Sequence, residues 1–272
     1  MLKIGLSINE TKINAEFFRE CAEAGINCIE LSPTPEGNTA LDVKAAASLI
    51  RACGLEVWSY HLPFLPFEGL DISAPALAKK SVEYLSSLIK RAADAGIRNF
   101  VIHSSGEPIS DDERSVRMKT AKESLAVLAE LALQYGGRLL VENLPRTVLG
   151  KNSGEMLELL SAHPSLRAVF DTNHLLCEDA VEFIKALGDK IVSTHVSDYD
   201  KIDEKHWLPG EGSADFVGIY KSLLEVGYNG PWLYELSLTN TVKITRKRDL
   251  TPLDIANNAR ELFEGKTFTV IE

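Results

Sequence analysis

The amino-acid sequence predicts an α/β fold and, within that class, a single (β/α)8 TIM barrel formed by residues 1–272. Apolar runs with strand character alternate with helix-period segments along the whole chain, and there are eight of each. Polar side chains also follow the ends of many different strands, as expected where those ends converge on one face of a barrel. An open doubly wound sheet is disfavoured because no Gly-x-Gly-x-x-Gly segment follows the first strand.

The eight predicted strands are short apolar runs, each followed by a polar segment and then by a helix-period segment. They cover residues 3–8, 28–32, 56–61, 100–104, 139–143, 168–171, 191–196 and 232–236. Repeated strand-helix units of this length, with no linker or low-complexity break between them, favour one closed barrel over two smaller domains.

The helices between the strands carry apolar residues every three or four positions, which predicts amphipathic helices that cover the sheet. Six of them are expected to end at a glycine just before the next strand, because glycine adopts the left-handed conformation that closes a helix. These glycines are Gly25, Gly54, Gly96, Gly136, Gly188 and Gly227. The last helix has its own start signal, with Thr251 as N-cap, Pro252 in the first position and Asp254 three residues after the cap.

Composition limits the possible classes of function. Apolar residues make up 45% of the chain, and the excess of acidic over basic residues gives a net charge of −10. Proteins that bind phosphate backbones usually carry the opposite charge, so no nucleic-acid partner is expected. The four cysteines form no Cys-x-x-Cys pair, and no apolar run approaches the length of a membrane span. We therefore expect a cytoplasmic protein with no membrane partner.

Histidines and acidic residues concentrate at the predicted strand ends. Of the six histidines only His163 lies elsewhere, and the other five are His61, His103, His174, His195 and His206. The acidic residues at strand ends are Glu30, Glu142, Asp171 and Glu235. Carboxylates are rarely buried without a partner cation, and few Arg or Lys residues lie at these strand ends to supply one.

This arrangement predicts a metal site on the rim of the barrel. Glu142, Asp171, His195 and Glu235 occupy equivalent positions in their units. Mixed carboxylate and imidazole ligands suit one divalent metal ion, Mn, Mg, Co or Zn, and the lack of thiolate ligands disfavours a structural zinc. Four protein ligands would leave room for substrate oxygens, so the site is predicted to be catalytic.

Five short motifs give the chain a resemblance to a known family. They are Val-Glu-Asn at 141–143, Asp-Thr-Asn-His at 171–174, Thr-His-Val-Ser-Asp at 194–198, His-Trp-Leu-Pro-Gly-Glu-Gly at 206–212 and Gly-Tyr-Asn-Gly-Pro-Trp-Leu-Tyr-Glu-Leu at 227–236. In this order, over essentially the whole chain, they resemble the xylose isomerase-like TIM barrels. That superfamily includes sugar and sugar phosphate isomerases and epimerases together with the apurinic endonuclease IV group.

The resemblance to the ketose 3-epimerase branch implies roles for individual residues. The four predicted ligands would bind a single ion that chelates adjacent carbonyl and hydroxyl oxygens of a carbohydrate substrate. Glu142 and Glu235 would act as base and acid on opposite faces, through an enediolate. The residues expected to contact substrate are His174, His61, His206, His103 and Glu30, of which Glu30 could instead brace a neighbouring histidine. An inosose-type dehydratase would need the same acidified C–H, and a homo-oligomer is implied by the same resemblance.

Two other functions remain open from the sequence. The endonuclease branch binds three zinc ions, and His61, His103, His174 and His206 stand where its additional ligands are expected. Its Asp-x-His pattern is Glu204-Lys205-His206 in this chain. The resemblance thus implies a trinuclear zinc phosphodiesterase as one alternative, and a non-catalytic carbohydrate-binding barrel as another. Substrate identity is expected to depend on loop contacts such as those of Trp58, Phe64, Phe67 and Trp207.

Overall fold

The computed structural model describes residues 1–63, 69–239 and 246–271. The strands in these ranges are β1 (Ile4–Ile8), β2 (Cys28–Leu31), β3 (Glu56–His61), β4 (Asn99–Ile102), β5 (Arg138–Glu142), β6 (Arg167–Asp171), β7 (Ile191–His195) and β8 (Trp232–Tyr234). The helices are α1 (Ala15–Ala24), α2 (Pro35–Ala40), α3 (Val43–Ala52), α4 (Ala78–Asp94), α5 (Arg114–Gln134), α6 (Ser153–Leu160), α7 (Ala180–Leu187), α8 (Phe216–Glu225) and α9 (Pro252–Phe263).

All eight strands belong to one parallel sheet that closes into a barrel. Their order is β7-β6-β5-β4-β3-β2-β1-β8, so each strand lies beside its neighbour in the sequence. The remaining gap, between β7 and β8, is closed by a bridge between Val196 and Tyr234, where the N–H of Val196 donates to the carbonyl of Leu233 at 2.8 Å. The predicted (β/α)8 barrel is confirmed.

The capped last helix and the glycines at the helix ends are also confirmed, except that Gly188 ends α7 with a ψ of −128°, outside the left-handed helical region. All six glycines have a positive φ, between 56° and 93°. Thr251 and Asp254 form a reciprocal capping box at the start of α9. The described ranges contain nine α-helices rather than eight, because Thr34 caps a short helix that begins at Pro35 in the loop after β2. No helix in these ranges is long and apolar enough to cross a membrane.

Two bulges adjust the register of neighbouring strands. In the pairing of β2 with β3, Glu30 lies opposite Ser59, and Trp58 is the extra residue. In the pairing of β6 with β7, Val192 is the extra residue, so that Asp171 lies directly opposite His195. Bulges commonly re-aim side chains beside functional sites. Here each one brings two polar side chains of the barrel mouth together.

Alternation along the strands decides which side chains face the inside of the barrel. Leu140 and Val169 pack with Val192 in a small cluster that is separate from the larger core between sheet and helices. Successive side chains on a strand point to opposite faces, so Glu142 and Asp171, two residues further on, also face inwards. The fold therefore places both carboxylates inside the barrel, at the carboxyl ends of its strands.

Candidate active site at the barrel mouth

A cavity of about 560 Å³ opens at the carboxyl ends of the strands. Its lining includes Glu235 and the four histidines expected to contact substrate, which are His61, His103, His174 and His206. Glu142, Asp171 and His195 are fully buried below these lining residues. The structure therefore brings the predicted site residues together at one end of the barrel.

The four predicted metal ligands form one compact group: Glu142, Asp171, His195 and Glu235 each offer a ligand atom, and these atoms lie within 4.8 Å of one another. His195 Nδ1 is 2.8 Å from Oε1 of Glu142 and 3.1 Å from Oε2 of Glu235. Asp171 Oδ2 is buried and accepts no hydrogen bond from the described residues. Since a buried carboxylate oxygen without a donor is costly and a divalent cation would satisfy it, this group of side chains fits such an ion.

Glu30 lies behind His195 and not in the cavity wall. It is fully buried, and its Oε1 is 3.0 Å from Nε2 of His195. The hydroxyl groups of Ser7 and Ser59 donate to the same carboxylate at 2.9 and 2.6 Å. A carboxylate in this place orients a ligand histidine and leaves the other ring nitrogen directed at the site. Of the two roles expected for Glu30, its position corresponds to bracing the histidine.

Further groups of potential ligands adjoin the first one. His61 and His103 place their Nε2 atoms 3.1 and 3.0 Å from Oε2 of Glu142. On the other side, His174, Glu204 and His206 offer ligand atoms within 4.8 Å of one another. The two oxygens of Glu142 therefore face different imidazoles, with His195 beside Oε1 and the other two histidines beside Oε2.

Backbone carbonyls orient the rings of the lining histidines. Nδ1 of His61 is 2.9 Å from the carbonyl oxygen of Leu62, and Nδ1 of His174 is 2.9 Å from that of Asn143. In a neutral ring, an Nδ1–H that donates to a carbonyl leaves Nε2 as the free acceptor. Nε2 of His174 lies 3.7 Å from Oε1 of Glu204. The His61 ring is protonated in the metal-free protein, because its pKa is raised to about 9, and its Nε2–H donates to Oε2 of Glu142 at 3.1 Å. That nitrogen becomes a potential ligand once its proton is lost.

The buried charges strongly perturb one another. Burial alone would raise the pKa of Glu142, but the neighbouring His195 and His103 hold it well below its usual value. Burial, together with the charges of Glu142 and Glu235, raises the pKa of Asp171 well above its usual range. Burial would lower the pKa of His61, yet the hydrogen bond and charge of Glu142 outweigh it and raise that pKa to about 9. Perturbation of this size is typical of functional sites.

The other residues suggested by the sequence have different positions. Trp58 lies outside the cavity lining and donates from its indole nitrogen to Ser193 at 3.1 Å. Trp207 also lies outside the lining and pairs with Asp198 in an isolated bridge. Phe64 and Phe67 lie outside the described residues.

The sequence alone predicts a solvated loop charge at Arg146, but this residue lines the cavity. Its guanidinium contacts Glu107, Asp203 and Glu204, residues that come from other loops of the barrel mouth. No local pattern marks such an arginine, because its partners are 39 to 58 residues away in the sequence.

Comparison with known proteins agrees with the observed fold. The family model described as xylose isomerase-like TIM barrel matches residues 18–259. An uncharacterised protein of Methanocaldococcus jannaschii is 27% identical over 179 residues, which are 62% of this chain and 61% of that protein. A ketose 3-epimerase of Arthrobacter globiformis is 27% identical over 221 residues, 78% of this chain and 74% of the enzyme. A probable endonuclease 4 of Streptomyces avermitilis is 29% identical over 175 residues, 60% of this chain and 54% of that protein.

Among solved structures, a D-tagatose 3-epimerase-like protein superposes with a TM-score of 0.77. The superposition covers 97% of both chains at 22% sequence identity. At this identity the likeness shows the shared fold alone. The chain spans less than two thirds of the length of the M. jannaschii and S. avermitilis relatives.

Proposed function

The chain belongs to the xylose isomerase-like TIM barrel family, and from that membership we propose that it is a divalent-metal-dependent isomerase or epimerase. Its substrate would be a keto sugar, a sugar phosphate or a related polyol, and an inosose-type dehydration falls within the same chemistry. The observation that carries this proposal is the convergence of Glu142, Asp171, His195 and Glu235, with Asp171 Oδ2 buried and without a hydrogen bond from the described residues. The similarity to a ketose 3-epimerase supports it.

Those four side chains would hold one ion of Mn, Mg, Co or Zn. When bound, such an ion supplies Lewis-acid polarisation of the carbonyl and hydroxyl oxygens of a ketose, which makes the C–H between them more acidic. Glu30 would hold His195 in place for this purpose through charge, because its carboxylate lies 3.0 Å from Nε2 on the far side of the ring, a nitrogen that makes no hydrogen bond with the described residues.

Proton transfer would be the task of Glu142 and Glu235, whose carboxylates flank Nδ1 of His195. One takes the proton from the acidified C–H, and the other returns a proton to the substrate on the opposite face. The two are not equivalent in their surroundings, since Glu142 is fully buried among three histidines whereas Glu235 is 24% exposed and lines the cavity. This difference favours Glu235 as the group that first removes the substrate proton.

The cavity suits a small polar substrate. Its volume of about 560 Å³ lies within the usual range for small-molecule sites. His61, His103, His174 and His206 present ring nitrogens that can donate to or accept from sugar hydroxyl groups. Apolar side chains such as Pro145 and Val148 complete the wall and can pack against the C–H face of a sugar ring.

The proposal is tested by Glu142→Gln and Glu235→Gln, which keep the side-chain shape and remove the ionisable group. We expect each variant to lose at least about 100-fold in kcat, the usual contribution of a general acid or base. The assay uses a panel of ketoses and their phosphates as substrates, with Mn or Zn added to the enzyme. NMR measures the product that forms. Glu182→Gln, on the exposed side of α7, is the matched control and should keep full activity. Turnover within tenfold of wild type in either site variant, with the fold intact, would remove the two-carboxylate mechanism.

A second candidate function is a trinuclear zinc phosphodiesterase. It is favoured by one specific observation: Glu142 has different imidazoles at its two oxygens, an arrangement that can bridge two ions, and His174, Glu204 and His206 form a separate group beside it. The similarity to a probable endonuclease 4 agrees with this candidate. The two candidates differ in the number of ions per chain, since the isomerase requires one and the phosphodiesterase requires three. A carbohydrate-binding barrel without catalysis would require none.

A further inference from the structure

Arg146 connects three loops of the barrel mouth. It lies in the loop after β5, and its Nε and Nη2 atoms donate to both carboxylate oxygens of Glu107, in the loop after β4, at 3.1 and 2.6 Å. Its Nη1 atom donates to Oδ1 of Asp203 at 2.8 Å and lies 3.0 Å from Oε1 of Glu204, both in the loop after β7. Every one of these partners is a carboxylate, so their negative charge opposes the approach of a substrate phosphate to the guanidinium.

The backbone of Arg146 is itself in a special conformation. Its φ is 52°, in the left-handed region that a residue with a side chain rarely adopts. On either side of it, the N–H of Leu144 donates to the carbonyl of Gly150, and that of Val148 donates to the carbonyl of Pro145. The loop thus keeps a conformation unfavourable for arginine, in which the guanidinium lies between the loops after β4 and β7.

Among the carboxylates that contact Arg146, Glu204 is distinguished by its place beside two histidines of the cavity wall. Its Oε1 lies between Nη1 of Arg146, at 3.0 Å, and Nε2 of His174, at 3.7 Å. It forms a group of potential ligands with His174 and His206. Glutamate has a flexible side chain, so a contact that keeps its carboxylate in one position reduces the number of conformers that it can adopt. Arg146 makes that contact.

We propose that Arg146 is a positioning residue that fixes the carboxylate of Glu204 against His174 and His206. This proposal rests on the proposed function in one respect, which is that His174 and His206 belong to the active site. It applies equally whether Glu204 contacts a substrate hydroxyl or an ion. It separates Glu204 from Asp203, which lies outside the cavity lining, and from Glu107, which lines the cavity but belongs to no group of potential ligands among the described residues.

The test is NMR of metal-free protein labelled with ¹⁵N at histidine, without substrate, so that its outcome does not depend on turnover. Arg146→Met keeps the apolar part of the side chain and removes the guanidinium. We expect it to shift the ring signals of His174 and His206, assigned by single His→Asn substitutions. His163, bound to Ser165 away from the cavity, is the internal control and should not shift. Arg146→Lys restores the positive charge without the paired N–H donors of the guanidinium. It should bring the ring signals part of the way back to their wild-type positions.

A second experiment, in a protein that already lacks the Glu204 carboxylate, distinguishes positioning of that carboxylate from a general effect of Arg146 on loop packing. In a Glu204→Ala protein, Arg146→Met should cause no further change at His174 and His206, because the contact through which it acts is gone. Arg248→Met, which removes an arginine bound to Asp254 at α9, controls for general loosening and should leave all these signals in place. Unchanged signals in Arg146→Met, or equal shifts in the Glu204→Ala background, would overturn the proposal. Thermal unfolding of each variant shows that the barrel is intact.

Discussion

His61 shows how one residue links the buried charges to stability. Its pKa is raised to about 9 from 6.5, because the hydrogen bond and charge of Glu142 outweigh the effect of burial. A raised pKa means that the protonated ring stabilises the folded state fully below pH 6.5, and that this contribution is lost as the pH rises to about 9. The pKa of His195 is raised too, while that of His103 is lowered by burial and affects stability only below pH 6.5.

We therefore expect the chelator-treated protein to become less stable between pH 6.5 and 9. The His61 shift alone corresponds to about 3 kcal/mol of unfolding free energy. Urea unfolding in EDTA at pH 6.5 and at pH 9 measures this loss of unfolding free energy. The loss should be smaller in His61→Gln. A wild-type protein equally stable at both values would contradict the raised pKa. Zinc should bind more tightly at the higher pH, because metal and proton compete for the same nitrogens.

Individual site residues were predictable from sequence where a local signal marks them. A carboxylate or imidazole that ends an apolar strand, as in Leu140-Val141-Glu142, can be recognised because nothing in the strand requires it. The position of Glu30 behind His195 could not be read in this way, since it depends on the bulge at Trp58 that places Ser59 opposite Glu30. The contacts of Arg146 depend on three loops meeting in space.

At the level of elements, Asp198 organises the loop between β7 and α8. Its Oδ2 accepts the backbone N–H groups of Gly210 and Gly212 at 2.9 and 2.8 Å. Its Oδ1 accepts those of Tyr199 and Ala214 at 2.9 and 3.1 Å. The same loop carries Glu204 and His206, so this buried carboxylate supports the rim of the active site from below.

Asp198→Asn should lower the free energy of unfolding by about 3 kcal/mol, because an amide NH₂ group would face N–H donors that have lost their acceptor. Asp215→Asn is the matched control, because Asp215, at the end of the same loop, is the N-cap of α8 and accepts from the backbone N–H of Gly218. Asparagine caps a helix as well as aspartate does, so the expected change is less than about 0.5 kcal/mol. Chemical denaturation of both variants measures the difference, and equal losses would show that Asp198 has no special role.

The helices and strands themselves were largely predictable, because glycine, N-cap and periodicity signals are local. The predicted end of α1 at Gly25 and the start of α9 at Thr251 coincide with the structure. The short helix at Pro35–Ala40 was missed, although Thr34 and Pro35 are a start signal, because its six residues carry no helical period.

At the scale of the whole molecule, the closed barrel could be predicted from the number of strand-helix units in the sequence. The number of metal ions that the site would bind could not. Glu142, Asp171, His195 and Glu235 suffice for one ion, and the same residues appear in both candidate functions. What separates the candidates is whether the two adjoining groups, His61 and His103 with Glu142 and His174 with Glu204 and His206, bind two further ions. That depends on side-chain geometry within a few ångströms, which no spacing in the sequence encodes.

The net charge of −10 argues at this scale against a nucleic-acid substrate. At the cavity the guanidinium of Arg146 is already surrounded by carboxylates, so it offers little attraction to a phosphate backbone. We expect duplex DNA with an abasic-site analogue to bind more weakly than about 10⁻⁴ M at physiological salt, measured by fluorescence anisotropy. Elemental analysis of the same preparation should give one divalent ion per chain. Three zinc ions per chain, together with micromolar binding and cleavage above an EDTA-treated control, would instead establish the phosphodiesterase.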